Sequence, residues 1–149
     1  DDTIDGGEDN DSIDGGGEND TITGGAGADR MFGANDEDLF LGATAGDTID
    51  GGSGGVDYDT LDLRGSAPAG GRFEVHYTSA DKEDGYIEFY DASDDLNPVG
   101  TAQFEEIENI IPCFTPGTLI AIMTFLVSCI HSGLDQGYGG RGKNGRRIR

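Results

Sequence analysis

The chain has 149 residues with 30 acidic and 9 basic side chains, which gives a formal net charge of −21 at pH 7. An acidic surface of this kind is repelled by polyphosphate, so the composition excludes nucleic acid and anionic membrane surfaces as partners. Repulsion among the carboxylates also opposes compact folding, so we expect a bound cation to neutralise them.

Residues 1–63 repeat with a period of nine, and three columns of the repeat stay in phase. Each unit has an aspartate, a large apolar residue two positions later, and a glycine that opens the next turn. The aspartates are Asp2, Asp11, Asp20, Asp29, Asp38 and Asp47, and Asp59 restores the pattern after an insertion in the seventh unit. The apolar residues are Ile4, Ile13, Ile22, Met31, Phe40, Ile49 and Leu61, and the glycines are Gly6, Gly15, Gly24, Gly33, Gly42 and Gly51. A flexible Gly-rich linker would need no such phase.

Each unit combines a Gly-rich turn with a short strand that has one inward apolar side chain. Two units then make one coil, so each aspartate stacks on the aspartate two units away. The predicted pairs are Asp2/Asp20, Asp11/Asp29, Asp20/Asp38, Asp29/Asp47 and Asp38/Asp59. The apolar core between the strands is thin, so metal binding has to supply part of the stability. Carboxylate and carbonyl oxygens favour Ca²⁺, in up to about five ions, over transition metals and over Mg²⁺.

The units resemble the RTX (hemolysin-type) repeat G-G-x-G-x-D-x-U-x. The resemblance implies a parallel β-roll whose turns bind Ca²⁺ through the aspartates and the glycine carbonyl groups. It also implies export by type I secretion machinery, folding triggered by external calcium, and an extracellular or cell-surface location. Two columns depart from the pattern: the fourth position holds Asp9, Glu18, Asp36 and Ala45, and the second holds Ala34 and Ala43. We therefore expect weaker or missing ions at the later turns.

Residues 64–111 lose the period of nine and predict strands at 73–77, 85–90 and from 101 onward. We expect this segment to be an irregular or antiparallel β cap that covers the end of the roll. Its aromatic side chains are interpreted as packing residues. The alternative is a contact surface for glycans or cells, which would make the protein a structural or adhesive surface protein.

Residues 104–110 and 112–121 together resemble the start of a Hint (hedgehog/intein-type) autoprocessing domain. The resemblance implies that Cys113 attacks the carbonyl carbon of Pro112 and forms a thioester. The rest of such a domain is missing from the sequence, so Cys113 is predicted to be inactive here, and self-cleavage would need a complete parent protein. A disulfide between Cys113 and Cys129 is left open.

Residues 122–149 turn from acidic to basic and are predicted to be an aberrant, poorly ordered tail. The apolar stretch 119–130 is too short to span a bilayer, which takes roughly 20 residues. Because the chain begins at Asp1 in mid-repeat, we expect further sequence upstream.

The sequence therefore predicts an all-β protein in four segments. These are a calcium-binding β-roll at 1–63, a β cap at 64–111, the Hint-like motif at 112–121 and the tail at 122–149. The predicted function is calcium binding by a secreted, non-enzymatic module that folds on Ca²⁺ after export.

Overall fold

A computed structural model describes residues 1–94 and 96–112, and the backbone of residues 128–130. The described part consists of strands and turns without any helix, which confirms the all-β prediction. The strands are β1 (Thr3–Glu8), β2 (Ser12–Asp14), β3 (Thr21–Ala26), β4 (Arg30–Asn35), β5 (Leu39–Leu41), β6 (Thr48–Gly54), β7 (Thr60–Asp62), β8 (Arg72–Tyr77), β9 (Gly85–Tyr90), β10 (Gly100–Glu105), β11 (Asn109–Ile111) and β12 (Ser128–Ile130).

The repeats form a parallel β-solenoid, as predicted. Alternate strands build two sheets, in the orders β1-β3-β5-β7-β11 and β12-β8-β9-β10-β6-β4-β2. Within the repeats each strand pairs with the strand one coil later, so that Ile4 pairs with Ile22 and Ile13 pairs with Met31. Strands β1, β3, β4 and β6 are longer than the three-residue strands that the sequence predicted, because pairing extends into the glycine positions, as between Gly7 and Gly25.

The apolar column of the repeat forms the core of the solenoid. Ile4, at the first coil, is only partly buried, whereas the later members of the column are buried. Ile22, Met31, Phe40, Ile49 and Leu61 are at most 1% exposed. The core is one side chain deep from each sheet, in agreement with the thin core expected from the sequence.

The solenoid extends past the last repeat. Strand β10 pairs in parallel with β6, which places Phe104 beside Ile49. Strand β11 pairs in parallel with β7, which places Ile110 beside Leu61. Residues 104–110, which were predicted to lie in the cap and which resemble the start of a Hint domain, thus complete a coil of the solenoid. The four predicted segment boundaries stay predictions.

Strands β8, β9 and β10 form an antiparallel meander that continues the second sheet. Strands β8 and β9 begin and end within one residue of the predicted positions, and β10 begins one residue before its predicted start. The third predicted strand is not continuous, however, because β10 ends at Glu105 and β11 begins only at Asn109. Phe73, Val75, Ile87 and Phe89 bury one face of the meander against the core. The aromatic ring of Phe89 therefore serves in packing, as predicted.

Candidate metal centre

The stacked aspartates form two columns of hydrogen bonds. In the first column, the backbone N–H of one aspartate donates to Oδ1 of the aspartate one coil later, at N···O distances of 2.6 Å for Asp2 to Asp20, 2.8 Å for Asp20 to Asp38 and 2.8 Å for Asp38 to Asp59. In the second column, Asp11 donates to Asp29 at 2.9 Å and Asp29 to Asp47 at 3.0 Å. The structure thus joins the five pairs expected from the sequence, and in each pair Oδ1 of the later aspartate accepts the hydrogen bond.

The second oxygen of most of these carboxylates accepts no hydrogen bond from the described residues. Oδ2 is buried and unpartnered in Asp11, Asp20, Asp29, Asp38 and Asp59. Four of these residues are almost inaccessible, with Asp29 and Asp59 0% exposed and Asp20 and Asp38 2% exposed. A buried carboxylate oxygen without a donor is costly, so the fold leaves a row of positions at which a cation would be stabilised.

The glycine column explains why room exists at these oxygens. A Cβ atom added to Gly24 would lie 2.6 Å from Oδ2 of Asp29, and one added to Gly15 would lie 2.6 Å from Oδ2 of Asp20. A Cβ atom on Gly6 would also lie 2.5 Å from the carbonyl oxygen of Gly24. Glycine is therefore required where a carboxylate and a carbonyl oxygen of the next coil converge. Such clustered hard oxygens are ligands that suit Ca²⁺.

The turn at Asp47 differs from the others. Its Oδ2 accepts hydrogen bonds from the backbone N–H of Thr44 at 2.6 Å and from the Thr44 hydroxyl at 3.2 Å. The glycine that opens this turn, Gly42, has no atom within 4 Å of the position of a Cβ. This turn lacks the converging carboxylate and carbonyl oxygens found around Gly6, Gly15 and Gly33. The geometry supports the expectation of a weak or missing ion at the sixth unit.

Burial raises the pKa values of three aspartate carboxyl groups in the columns. Desolvation raises the pKa of Asp38 and that of Asp47 above their usual range. Desolvation, together with the neighbouring Asp57 and Asp38 carboxylates, raises the pKa of Asp59 to about 7. The ionised forms are thus disfavoured in the folded chain without a cation.

The first column ends on a glutamate that lies outside the predicted nine-residue repeats. The backbone N–H of Asp59 donates to Oε2 of Glu108 at 2.5 Å, so Glu108 takes the place of the next aspartate. Glu108 is followed two positions later by the apolar Ile110, which is the same spacing as between the aspartate and the apolar residue of each repeat. The period of nine does not reveal this, because Glu108 lies 49 positions after Asp59 in the chain.

The comparison with protein families agrees with this geometry. Residues 5–40 match the family model of the RTX calcium-binding nonapeptide repeat, in four copies. This part of the chain consists of RTX repeats. The match does not extend to residues 104–121, and no curated protein and no solved structure matches the chain. The RTX repeat is a calcium-binding module, in agreement with the calcium binding predicted for the roll.

Cys113, the predicted nucleophile, and the disulfide with Cys129 fall outside the side chains that the structure describes. Within the described ranges, no helix is long and apolar enough to cross a membrane.

Proposed function

We propose that the RTX roll is a calcium switch that is unfolded without Ca²⁺ and folds when Ca²⁺ enters its turns. The observation that carries this proposal is the row of buried carboxylates whose Oδ2 atoms have no hydrogen-bond donor. The ligands are Asp2, Asp11, Asp20, Asp29, Asp38 and Asp59, with carbonyl oxygens of Gly6, Gly15, Gly24, Gly33 and Gly51 and weaker binding around Asp47 and Gly42.

Electrostatics supports coupling between folding and binding. Folding brings carboxylates of like charge into stacked columns and removes them from water, and both effects oppose folding of the metal-free chain. A divalent cation offsets both effects, because its positive charge neutralises the columns and it coordinates the oxygens that lack a hydrogen-bond donor. The binding free energy of such a site becomes folding free energy.

We further propose that the chain is exported through type I secretion machinery and acts outside the cell or at its surface. Extracellular calcium modules bind with Kd values of about 10⁻⁴ to 10⁻³ M, so low cytosolic calcium would leave the chain unfolded and competent for export. The net charge of −21 supports this, since it keeps a calcium-free chain extended.

Isothermal titration calorimetry of the whole chain with Ca²⁺, in a Mg²⁺-containing buffer, tests the binding. We expect several Ca²⁺ ions to bind and Mg²⁺ to compete poorly. The double variant Asp20→Asn/Asp29→Asn should lose part of this binding, whereas the exposed Glu8→Gln, which removes a charge outside the columns, should leave it unchanged. Equal calcium binding in all three proteins would overturn the proposal.

A further inference from the structure

The last coil of the solenoid contains a carboxylate cluster that the repeat pattern does not include. Oxygens of Asp57, Asp59 and Glu108 lie within 4.8 Å of one another. Asp59 and Glu108 end the first aspartate column, but Asp57 belongs to the insertion of the seventh unit. The insertion lengthens the step between stacked residues from 18 to 21, as the Asp20 to Asp38 and Asp38 to Asp59 hydrogen bonds show.

Two of the three carboxylates have buried oxygens without a donor. Asp59 is 0% exposed, and its Oδ2 accepts no hydrogen bond from the described residues. Oδ1 of Asp57 is also buried and unpartnered. Glu108 uses Oε2 to accept the backbone N–H of Asp59. The cluster therefore repeats, with one extra carboxylate, the arrangement of held and unpartnered oxygens that is found in the repeat turns.

A backbone carbonyl points to the same place. A Cβ atom added to Gly51 would overlap both Oδ2 of Asp59 and the carbonyl oxygen of Glu106. These two oxygens thus converge beside Gly51, as the carboxylate and carbonyl oxygens do beside Gly6. Glu106 reaches this position with a left-handed backbone, at φ 50°.

The segment around the cluster carries further negative charge. Oxygens of Glu83, Glu106 and Glu108 form a second group within 4.8 Å. The turn before β9 contacts the same segment, because the N–H of Ile107 donates to the carbonyl oxygen of Glu83 at 2.9 Å and the N–H of Glu106 donates to Asp84 at 3.2 Å. Closing the last coil therefore concentrates repulsion between carboxylates around residues 106–108.

We propose that one Ca²⁺ ion binds at this seam site, defined by the side chains of Asp57, Asp59 and Glu108 and the carbonyl oxygen of Glu106, and joins the last repeat to β11. The inference rests on the calcium binding proposed for the roll. Three carboxylates bind one ion here, and affinity for Ca²⁺ rises with the number of charged ligands. The seam site is therefore the tightest calcium site of the chain, and its ion fixes β10 and β11 on the roll.

Calcium titration of the whole chain with three single variants tests the seam site. Glu108→Gln keeps an amide oxygen to accept the N–H of Asp59 but removes the charge. Asp57→Asn changes no hydrogen bond of the columns, so it decides the matter if Glu108→Gln does not fold. Glu105→Gln removes an exposed charge from the adjacent strand and is the matched control.

We expect Glu108→Gln and Asp57→Asn each to weaken the tightest calcium-binding step by about tenfold or more, or to lose one bound ion. Glu105→Gln should titrate like the unmodified chain. If the unmodified chain binds several ions and both variants match it in number and affinity, the seam site is wrong and the roll proposal stands. If the unmodified chain binds no Ca²⁺, both proposals fail.

Discussion

At the scale of one residue, the two carboxylate oxygens of an aspartate in the columns have different partners. In Asp29, Oδ1 accepts the backbone N–H of Asp11 and Oδ2 has no donor. In Asp47, Oδ1 accepts the N–H of Asp29, but Oδ2 is held by Thr44. Replacing each aspartate by asparagine therefore separates structural from metal-binding effects.

We predict that Asp29→Asn lowers calcium affinity by about tenfold or more, because it neutralises an unpartnered ligand oxygen while the amide oxygen keeps the hydrogen bond. Asp47→Asn should instead lower stability by about 1–3 kcal/mol at saturating calcium, since its amide N–H₂ would face the donors of Thr44. Calcium titration and urea unfolding of both variants distinguish the two effects. A larger loss of affinity in Asp47→Asn than in Asp29→Asn would contradict this assignment.

Ala34 is a residue whose backbone conformation favours glycine. It has a φ of 83° at a position where other repeats have Gly7, Gly16 and Gly25. We expect Ala34→Gly to raise the free energy of unfolding of the calcium-bound chain by up to about 1 kcal/mol, because the strain of a positive φ is removed. Ala26→Gly, in an exposed strand position, should lower it; a drop in the urea midpoint for both variants would show that Ala34 is not strained.

The pKa of Asp59 predicts a pH dependence for the metal-free chain. The folded-state pKa is raised from 3.8 to about 7, so the protonated carboxyl stabilises the fold below the unfolded value and this contribution is lost as pH rises through about 7. In calcium-free buffer, far-UV circular dichroism should therefore show more β structure near pH 4 than near pH 7. Asp59→Asn should reduce the difference, and β content that rises with pH would be incompatible with the shift.

At the scale of the elements, β10 belongs to two structures at once. It pairs in parallel with β6 of the roll and antiparallel with β9 of the meander. The sequence predicted strands β8, β9 and β10 from their alternation and turn residues. It did not predict that β10 and β11 continue the roll. Their partners β6 and β7 precede β8 and β9 in the sequence, and the period of nine is absent from the segment between them.

Phe104 couples the two parts, because it is 0% exposed and its ring packs edge-on against Tyr77 of β8, with centroids 6.0 Å apart. We expect Phe104→Ala to destabilise the calcium-bound chain by about 3–5 kcal/mol and to reduce hydrogen-exchange protection in both β6 and β9. Leu96→Ala, at an 88% exposed position, should change stability by less than about 0.5 kcal/mol. Loss of protection in β9 alone would show that the meander and the roll unfold separately.

At the scale of the whole molecule, folding depends on the balance between thin apolar packing and concentrated negative charge. The core, the strands and the stacked pairs could be predicted from the sequence, since one aspartate, one apolar residue and one glycine recur in phase. The engagement of Asp47 by Thr44 and the approach of Asp57 to Glu108 could not, because they depend on an irregular turn and an insertion. The cation is the one component that satisfies both the regular and the irregular carboxylates.

Far-UV circular dichroism during a calcium titration of the metal-free chain tests the central claim most directly. The account predicts a transition from coil to β structure as Ca²⁺ is added, in the range of about 10⁻⁴ to 10⁻³ M, and no such transition with Mg²⁺. A chain that already has its full β content in the presence of chelator, or that never responds to Ca²⁺, would contradict the calcium switch.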